Sequence, residues 1–393
     1  MADTQDRFAF GKNWENFLTK FSQDRLVNAQ DRLLKLLRLS NLAGKTFLDI
    51  GSGSGLHSLS AWHSGAGQVV SFDYDPDSVN ATRSLWEMAG KPENWCILQG
   101  SVLDADFMCS LGSFDIVYSW GVLHHTGDMW QAIRNARLPL ADNGVFCIAL
   151  YSDTAYRDNS LSGEPTPEQW LEIKQEYNAA NANKKRRMEY GHVWRTFLRP
   201  TLRNPLRFLL ACYRLLCMKR QYAKQRGMDF WTDIRDWLGG WPMDFVKEGE
   251  LIRLGRTELG LEFLDIITGE GNTEFLFRPL GSTNYWDTIL SRRVRHNISG
   301  PFQRAEGYMW SCAMPELTHC ADTETHPRRS SMMLFEDELP LGYPHARHVG
   351  ICRFGEGRYS HWKDTVLFST SDNTDPNVNG RVYAALLSEA SNP

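Results

Sequence analysis

The fold is decided at residues 47–55, which read Phe47-Leu48-Asp49-Ile50-Gly51-Ser52-Gly53-Ser54-Gly55. The apolar first half predicts a buried strand, and the glycines predict a loop that leads into a helix over 56–62. Glycine lets the backbone turn sharply and lets a ligand approach the main chain closely. A dinucleotide fingerprint has its third glycine at the sixth place of the loop, where this chain has Leu56. The Gly-Lys-Ser/Thr ending of a Walker loop is also absent.

Four more strands are predicted after this loop, at 68–72, 95–99, 114–119 and 145–150. Helix-like segments separate most of them. Strands that alternate with helices form βαβ units, and such units build a parallel sheet that is covered on both faces. The sequence therefore predicts an α/β fold with a doubly wound, mostly parallel sheet.

Polar groups follow the second and third strands, where a nucleoside ligand would contact the protein. The second strand ends in Asp73, and a carboxylate at that position can accept both ribose hydroxyls. The segment 99–104 follows the third strand and would border an adenine ring. Asp49 precedes the glycines, where it could hold the loop or bind the cationic amino-acid end of a ligand through water.

These segments resemble the class I S-adenosylmethionine-dependent methyltransferases in order and spacing over residues 45–150. The resemblance, to a bacterial small-molecule and glycan-type subgroup, implies a Rossmann-like sheet that takes S-adenosylmethionine and releases S-adenosylhomocysteine. The cofactor-binding residues that it implies are Asp49, Gly51, Ser52, Gly53, Gly55, Asp73, Tyr74, Ser101, Val102 and Trp120. Many relatives have Asp where Ser101 stands, so the contact to the adenine amino group stays open. The alternative is a nucleotide-binding sheet with another ligand.

The loop after the fourth strand carries His124 and His125. Open α/β sheets bind ligands at the carboxyl ends of their strands, so this loop is expected to face the transferred methyl group. Methyl transfer is an in-line displacement in which the enzyme positions the acceptor and removes its proton. Histidine has a suitable pKa for taking the proton of a hydroxyl, so His124 or His125 is the expected catalytic base. The alternative is that the pair only shapes the loop.

The same loop narrows the class of acceptor. Enzymes of this fold that methylate amino groups of nucleic-acid bases carry Asn/Asp-Pro-Pro-aromatic after the fourth strand, whereas this chain has Ser119-Trp120-Gly121. Methylation at carbon 5 of a base needs a nucleophilic cysteine, commonly in a Pro-Cys pair, and the sequence has no such pair. Base methylation is therefore disfavoured and no specific DNA binding is expected, while a sugar or wobble modification stays open.

A basic segment at 184–226 has thirteen Lys and Arg against one acid, Glu189, although the whole chain has a formal net charge of −4. The net charge excludes a nucleic-acid binder driven by overall charge. Residues 206–218 interleave apolar side chains with Arg207 and Arg214 over too few residues to span a bilayer. Such a stretch is either a solvated helix face or a contact to a partner groove or an anionic membrane surface.

Three stretches outside the core are similar to segments of a bacterial methyltransferase subgroup, at 8–14, 227–242 and 271–275. The similarity implies that they return to cover the acceptor pocket. The residues implied to contact the acceptor are Phe10, Asn13, Trp14, Trp237, Trp241, Asn272 and Glu274. Core packing is the alternative, since tryptophan is common in cores and interfaces.

The stretch 339–381 is dense in Gly, Asn, Asp and Pro between short strand patterns, which predicts a β-rich unit. It loosely resembles tail modules of bacterial enzymes of glycan assembly. Under that interpretation 358–362 and 369–377 would contact a sugar, with Trp and Tyr stacking on the ring. The alternative is turn chemistry, because tight turns require the same residue types.

The chain of 393 residues is longer than one hydrophobic core usually sustains. The expected parts are an N-terminal helical arm or lid (1–44), the cofactor-binding core (45–151), a basic helical insertion (152–247), a return to the core sheet (248–280) and a β-rich C-terminal unit (281–393). Within these parts, 152–168 is expected to be a loop and 281–330 to be irregular.

The cysteines, the histidines near them and the first residues of the chain bear on metal binding, redox state and location. No metal is expected, because the spacings of Cys312, His319, Cys320 and His326 do not match structural zinc. Eight scattered cysteines fit a reducing cytoplasm, and the polar start of the chain indicates no signal peptide. The predicted location is the cytoplasm, with a peripheral association at the membrane left open.

The sequence thus predicts an enzyme that transfers a methyl group from S-adenosylmethionine to a small-molecule or glycan acceptor. The favoured reaction is O-methylation of a sugar hydroxyl or of another small polar metabolite, including a lipid-linked one. Two alternatives stay open. One is O-methylation of a phenol or quinone intermediate, and the other is a non-catalytic S-adenosylmethionine-binding protein with a glycan-binding tail.

Overall fold

The computed structural model describes residues 23–202, 204–226, 230–269 and 271–388. Contacts divide the chain into two compact units. The first unit runs to residue 141 and also takes 146–148 and 168–244; the second takes 142–145, 149–167 and the chain from 245 onward. Phe10, Asn13 and Trp14, which the sequence places near the acceptor, lie outside the described residues.

The first unit alternates strands with helices. Its elements are α1 (Gln23–Leu37), β1 (Thr46–Ile50), α2 (Leu56–His63), β2 (Gln68–Asp73), α3 (Pro76–Met88), β3 (Trp95–Gln99), α4 (Ala105–Ser110), β4 (Phe114–Trp120), a 3₁₀ turn (Leu123–His125), α5 (Met129–Ala136) and β5 (Leu140–Tyr151), which reaches into the second unit. β5 begins earlier than predicted. The prediction missed its first residues because Asp142, Asn143 and Gly144 interrupt the apolar pattern of the strand.

Two further strands of the second unit complete the main sheet. β6 (Leu261–Thr268) and β7 (Asn272–Pro279) form an antiparallel pair, and the order of the seven strands is β3-β2-β1-β4-β5-β7-β6. The first four strands in this order are parallel. The predicted fold class, an α/β protein with a doubly wound and mostly parallel sheet, is therefore confirmed.

β1 lies in the middle of this sheet. It pairs in parallel with β2 and with β4, and Asp49 stands opposite Ser71 on one side and Tyr118 on the other. The side chains of Phe47 and Leu48 are completely buried, as expected for a strand covered on both faces. The strand order reverses between β1 and β4, and open α/β sheets bind their ligands at the carboxyl ends of such strands.

A helical insertion follows β5. Its elements are α6 (Asp153–Ser160), α7 (Pro167–Ala179), α8 (Ala182–Val193), a π turn (Trp194–Leu198), a 3₁₀ turn (Arg199–Thr201), α9 (Pro205–Arg226) and α10 (Phe230–Gly239). The prediction of a loop over 152–168 is wrong at its start, because the Ser152 hydroxyl caps α6 by accepting the Ala155 N–H at 2.9 Å. In the described part of the chain, no helix combines the length and the hydropathy needed to cross a membrane.

The chain after the main sheet forms two more sheets, of four strands each. The elements from 248 on that lie outside the main sheet are α11 (Glu248–Thr257), α12 (Trp286–Leu290), β8 (Arg293–Ile298), β9 (Gln303–Arg304), β10 (Trp310–Ala313), a 3₁₀ turn (Pro315–Cys320), β11 (Met333–Glu336), β12 (Leu339–Pro340), α13 (His348–Phe354), β13 (Tyr359–Trp362), β14 (Thr365–Phe368) and β15 (Tyr383–Ser388). The strand orders are β12-β11-β15-β8 and β13-β14-β10-β9. The expectation of irregular structure at 281–330 is wrong, because its short strands of mixed polarity have no clear alternation in sequence.

The two C-terminal sheets share an aromatic core. The rings of Phe302, Phe368 and Tyr383 lie 5.2–5.4 Å apart between centroids. Tyr359 belongs to the same cluster, is 1% exposed, and donates its hydroxyl to the Met332 carbonyl at 3.1 Å. The expectation that Tyr359 stacks on a sugar is therefore wrong, because its ring is enclosed by protein.

The polar residues at 369–377 serve the backbone around them. The amide oxygen of Asn373 accepts the Glu356 N–H at 2.7 Å, and that of Asn377 accepts the Phe302 N–H at 2.7 Å. Asp372 is paired with Arg381. Turn and loop chemistry accounts for this stretch. In the neighbouring segment 358–362, Trp362 is half-buried and retains some exposed surface, unlike Tyr359.

A buried carboxyl group links three elements of the second unit, α6, α11 and β7. Glu248, in the first turn of α11, accepts hydrogen bonds from the hydroxyls of Ser152 and Thr154, the latter at 2.6 Å, and Thr273 of β7 lies 3.4 Å away. Burial raises the pKa of Glu248 to about 7, because desolvation penalises the ionised form. The protonated side chain is therefore the form that the folded protein favours below neutral pH.

The second unit is expected to lose stability as the pH rises from 4.5 to 8, because a carboxyl whose pKa is raised in the folded state opposes folding once it ionises. Glu248→Gln, which stays neutral, removes this contribution, on the order of 3 kcal/mol at full ionisation. The measurement is calorimetric unfolding at several pH values, with Glu250→Gln on the exposed side of α11 as the control. An unchanged pH slope in Glu248→Gln would contradict the assignment.

Candidate active site

The loop after β1 has a shape that glycine adopts most readily. Gly51, Gly53 and Gly55 have φ angles of 73°, 54° and 79°, in the left-handed region. A Cβ atom on Gly51 would lie 2.4 Å from a methyl carbon of Val122. The Gly51 N–H donates to the Phe72 carbonyl at 2.9 Å, so the loop is fixed to the end of β2.

Asp73 joins the second strand to the glycine loop. Its Oδ2 accepts the Gly53 N–H at 2.9 Å and its Oδ1 accepts the Asp75 N–H at 3.0 Å. A carboxylate offers about four lone-pair sites, so these two bonds leave capacity for a ribose hydroxyl. Burial raises the pKa of Asp73 to about 6, against the lowering effect of the two N–H donors. On the other side of the loop, the hydroxyls of Ser52 and Thr82 are 2.9 Å apart.

Asp49 faces helix α2 in the interior. Its Oδ2 accepts the Ser58 hydroxyl at 2.5 Å, Ser58 accepts the Ser71 hydroxyl at 2.7 Å, and Ser71 accepts the indole N–H of Trp95 at 2.7 Å. Burial raises the pKa of Asp49 to about 7, and the negative charge of Asp73 adds to this rise. The two acids at this edge of the sheet are thus both held below full ionisation at neutral pH.

The remaining expected cofactor residues lie at the same edge of the first unit. Ser101 accepts the Leu103 N–H at 3.2 Å, and the carbonyl of the buried Val102 accepts the side-chain amide of Asn135 at 2.9 Å. Tyr74 is half exposed just after β2, and Trp120 is half-buried at the end of β4. These positions leave the side chain of Tyr74 and the indole of Trp120 accessible to a ligand.

The residues present fit S-adenosylmethionine. The site offers the backbone of a glycine loop and two acids, Asp49 and Asp73, whose pKa values burial raises to about 7 and about 6. S-adenosylmethionine carries a sulfonium and an ammonium group, and such positive charges favour the ionised form of nearby carboxyls. Gly121 has a φ of 76°, and among the described residues no heavy atom other than those of its chain neighbours lies within 4 Å of an added Cβ.

The segment after α10 forms hydrogen bonds with both residues of the histidine pair. His125 Nδ1 lies 2.7 Å from the Pro242 carbonyl oxygen, and the Asp244 N–H donates to the His124 carbonyl at 2.8 Å. A carbonyl only accepts, so His125 Nδ1 carries the hydrogen and the lone pair of the neutral ring is on Nε2. The two imidazole rings lie 4.4 Å apart between centroids.

The two histidines differ in exposure. His124 is completely buried, whereas His125 is half-buried. Burial lowers the pKa of His125 to about 3 and the pKa of His124 well below its usual value, and the nearby Lys174 lowers both further. Both rings are therefore neutral at physiological pH, and His125 is the better placed of the two to meet an acceptor.

Sequence reasoning missed Lys174 of α7. This lysine is 2% exposed, and its ammonium donates to the Trp237 carbonyl near the end of α10. Asn178, one turn later on α7, donates to the Gly239 carbonyl at 2.8 Å, so both side chains cap the carboxyl end of α10. Burial lowers the pKa of Lys174 to about 7, against the raising effect of Asp236. Nothing in the local pattern of 167–179 distinguishes this lysine from a surface residue.

The expected acceptor residues are divided between the two units. In the first unit Trp237 packs edge-on against Trp170 at 5.4 Å, and Trp241 immediately precedes the proline that binds His125. Asn272 and Glu274 belong to the second unit, where they lie at the start of β7. Trp237 and Trp241 are half-buried, so each retains surface for a ligand.

The family comparison agrees with this geometry. Residues 41–201 match a family model described as a methyltransferase domain. The matched stretch contains the glycine loop, Asp73 and the histidine pair, and it continues into the helical insertion. β6, β7 and the two C-terminal sheets lie outside the match.

Individual proteins are similar over shorter stretches. The tRNA U34 carboxymethyltransferase of Aeromonas hydrophila is 32% identical over 114 residues, 29% of this chain and 34% of that protein. The ribosomal protein L11 methyltransferase of Photobacterium profundum is 25% identical over 142 residues, 36% of this chain and 48% of that protein. The solved structure of PKMT2 from Rickettsia typhi with AdoHcy has a TM-score of 0.41 at 14% identity, over 66% of this chain and 55% of that one. The chain thus spans about a third and about half of the two curated relatives.

Metal-binding side chains are not grouped at this site. Among the residues that the structure describes, no three or more His, Cys, Asp or Glu side chains are arranged to hold a metal ion. The donors at the edge of the sheet are instead backbone N–H groups, two carboxyls and neutral imidazole.

His125 is expected to be the neutral Nδ1–H tautomer between pH 5.5 and 8, because its Nδ1 donates to Pro242 and burial disfavours the imidazolium. The measurement is the pair of ring ¹⁵N shifts in protein labelled at histidine, with His125→Gln to assign the signals. Lys174→Met, which removes a nearby positive charge, should raise the pKa of His125. An Nε2–H tautomer or protonation of His125 near pH 6 would contradict this geometry.

Proposed function

We propose that the chain is an S-adenosylmethionine-dependent methyltransferase that methylates a hydroxyl oxygen of a small polar acceptor, with a sugar as the favoured class. The observation that carries this proposal is the 2.7 Å contact between His125 Nδ1 and the Pro242 carbonyl. Because Nδ1 donates to that carbonyl, the basic lone pair of this neutral, half-buried imidazole is on Nε2. The methyltransferase domain at 41–201 supports the cofactor, and the ring orientation supports an acceptor that must lose a proton.

The cofactor side rests on the glycine loop and the two acids. The cofactor, when bound, supplies an electrophilic methyl group on sulfur. The loop at 51–55 lets the backbone approach it, Asp73 accepts ribose hydroxyls, and ionised Asp49 and Asp73 balance its positive charge. Ser101 and Val102 border the adenine, with Ser101 in place of the acid that many relatives have.

The acceptor side rests on His125 and the aromatic segment after α10. The acceptor oxygen forms a bond to the methyl carbon as the carbon–sulfur bond breaks, and the hydroxyl proton passes to His125 Nε2. S-adenosylhomocysteine is the second product. A base with a pKa of about 3 takes the proton only after the oxygen–carbon bond has begun to form. The main contribution of His125 is therefore to hold the acceptor oxygen in line with the methyl group and to receive the proton once the oxygen has become more acidic.

The class of acceptor follows from what surrounds the base. Trp237 and Trp241 each keep some accessible surface, and indole suits the apolar face of a sugar ring and equally a phenol or quinone ring. The curated relatives act on tRNA and on a ribosomal protein, but the chain covers half or less of each of them. A sugar hydroxyl is preferred here because a neutral base in a partly open site suits a polar acceptor.

Affinity for S-adenosylmethionine is expected to rise as the pH increases from 5.5 to 8, because Asp73 and Asp49 ionise over this range. Asp73→Asn should weaken binding at pH 8 by about tenfold or more and flatten the pH dependence. Titration calorimetry gives the dissociation constants, and Asp106→Asn on the exposed face of α4 is the control. Absence of binding at both pH values would overturn the methyltransferase proposal.

His125→Gln is expected to lower methyl transfer by about 10²-fold or more, because it removes the proton acceptor. Affinity for S-adenosylmethionine should stay unchanged. The assay follows a radiolabelled methyl group from the cofactor into fractionated cell extract, and His63→Gln at the exposed end of α2 is the control.

The fraction that takes up the label decides the acceptor. Label in saccharide or lipid-linked saccharide supports the proposal, and loss of that label in His125→Gln supports the base. Label in a phenol or quinone, in tRNA or in protein would overturn the sugar assignment and keep the methyltransferase. Cofactor binding without any label would favour a non-catalytic binding protein.

A further inference from the structure

Helix α9 presents an apolar stripe away from the body of its unit. Five side chains on it are strongly exposed, namely Leu206 (76%), Leu209 (65%), Leu210 (46%), Tyr213 (64%) and Leu216 (61%). At 100° per residue these five positions fall within an arc of about 120°. A contiguous exposed stripe of leucines is uncommon on a protein surface and marks an interaction site.

The stripe is not the face by which α9 packs on its own unit. Phe208 lies on the opposite side of the helix and contacts the ring of Trp194 at 6.4 Å. Leu215, also on that side, lines a groove of about 510 Å³ between α9 and the turns at 194–201. The helix therefore has two apolar faces. Phe208 and Leu215 lie on the side of the turns at 194–201, whereas the stripe is exposed, and its edge residue Leu210 also lines the groove.

The charged residues of α9 and of the turns before it are all basic. On the helix, Arg207 and Arg214 lie next to the edge of the stripe that Leu210 forms. Both arginines line the same groove, together with Leu210 and Phe197. From residue 195 to 226 the sequence has nine Lys and Arg and no acid. Apolar side chains flanked by cations match an anionic bilayer surface, in which leucines enter the acyl boundary and arginines meet phosphate groups.

We propose that α9 docks the protein on the surface of an anionic phospholipid membrane, with the leucine stripe inserted and the helix lying in the plane of the interface. The aliphatic character of the stripe favours lipid over RNA, because RNA-binding surfaces use aromatic rings that stack on bases. The groove rimmed by Arg207 and Arg214 gives one phospholipid headgroup and the start of its acyl chain a place on the protein. Docking would bring the methyltransferase domain to lipid-linked acceptors, but it does not depend on that activity.

The test is co-sedimentation of the full chain with vesicles of phosphatidylcholine alone and with about 30% phosphatidylglycerol added. Binding is expected only to the anionic vesicles, and it should weaken as the salt concentration rises from about 0.1 M to 1 M. The variant Leu206→Gln/Leu209→Gln/Leu216→Gln should lose about tenfold or more in partitioning. Its matched control, Met88→Gln/Val378→Gln/Val382→Gln, removes three equally exposed apolar side chains elsewhere and should bind like the unmodified protein.

Three results would overturn the proposal. The first is equal partitioning of the leucine variant and the unmodified protein. The second is binding to bulk tRNA that survives the leucine substitutions and is lost in Arg207→Gln/Arg214→Gln, which would assign the surface to RNA. The third is a dimer in sedimentation velocity that the leucine substitutions dissociate, which would assign the stripe to a second copy of the chain. Circular dichroism of each variant confirms its fold.

Discussion

The hydrogen bond from the Gly53 N–H to Asp73 Oδ2, at 2.9 Å, is the contact on which the geometry of the cofactor site depends. It ties the loop after β1 to the end of β2, and the parallel register that sets Ile50 opposite Phe72 makes it possible. The same contact brings a second carboxyl near Asp49 in a desolvated edge of the sheet. Burial keeps both acids partly protonated, and a positively charged ligand favours their ionised forms. The site is therefore suited to a ligand that carries positive charge.

The acceptor side depends on the helical insertion. Lys174 and Asn178 of α7 hold the carbonyls at the end of α10, and the chain that leaves α10 supplies the Pro242 carbonyl to His125. The tautomer of the candidate base is thus set by a residue 117 positions away in sequence. Substitutions in α7 or α10 are therefore expected to act on the base without touching it.

The helices of the insertion differ in what their side chains do. Its α7 and α10 are joined by aromatic contacts such as that between Trp170 and Trp237, whereas α9 exposes leucines beside Arg207 and Arg214. A segment that both shapes the acceptor loop and carries a membrane-docking face would couple location to choice of acceptor. The polar residues of the C-terminal stretch, by contrast, hydrogen-bond to the backbone around them, as Asn373 and Asn377 do.

The sequence by itself determined the sheet, the glycine loop and the carboxyl at the end of β2, because strand pattern, glycine spacing and strand ends are local properties. It also located the histidine pair and the leucines of 206–218. It could not show that His125 binds Pro242, that Lys174 is buried or that Tyr359 is enclosed, because each depends on contacts between residues remote in sequence. The short strands within 281–330 and α6 were missed for a related reason: pairing with distant strands and a cap at Ser152 decide them, not periodicity. Burial and desolvation, which set the pKa values of the acids and imidazoles, are properties of the tertiary structure alone.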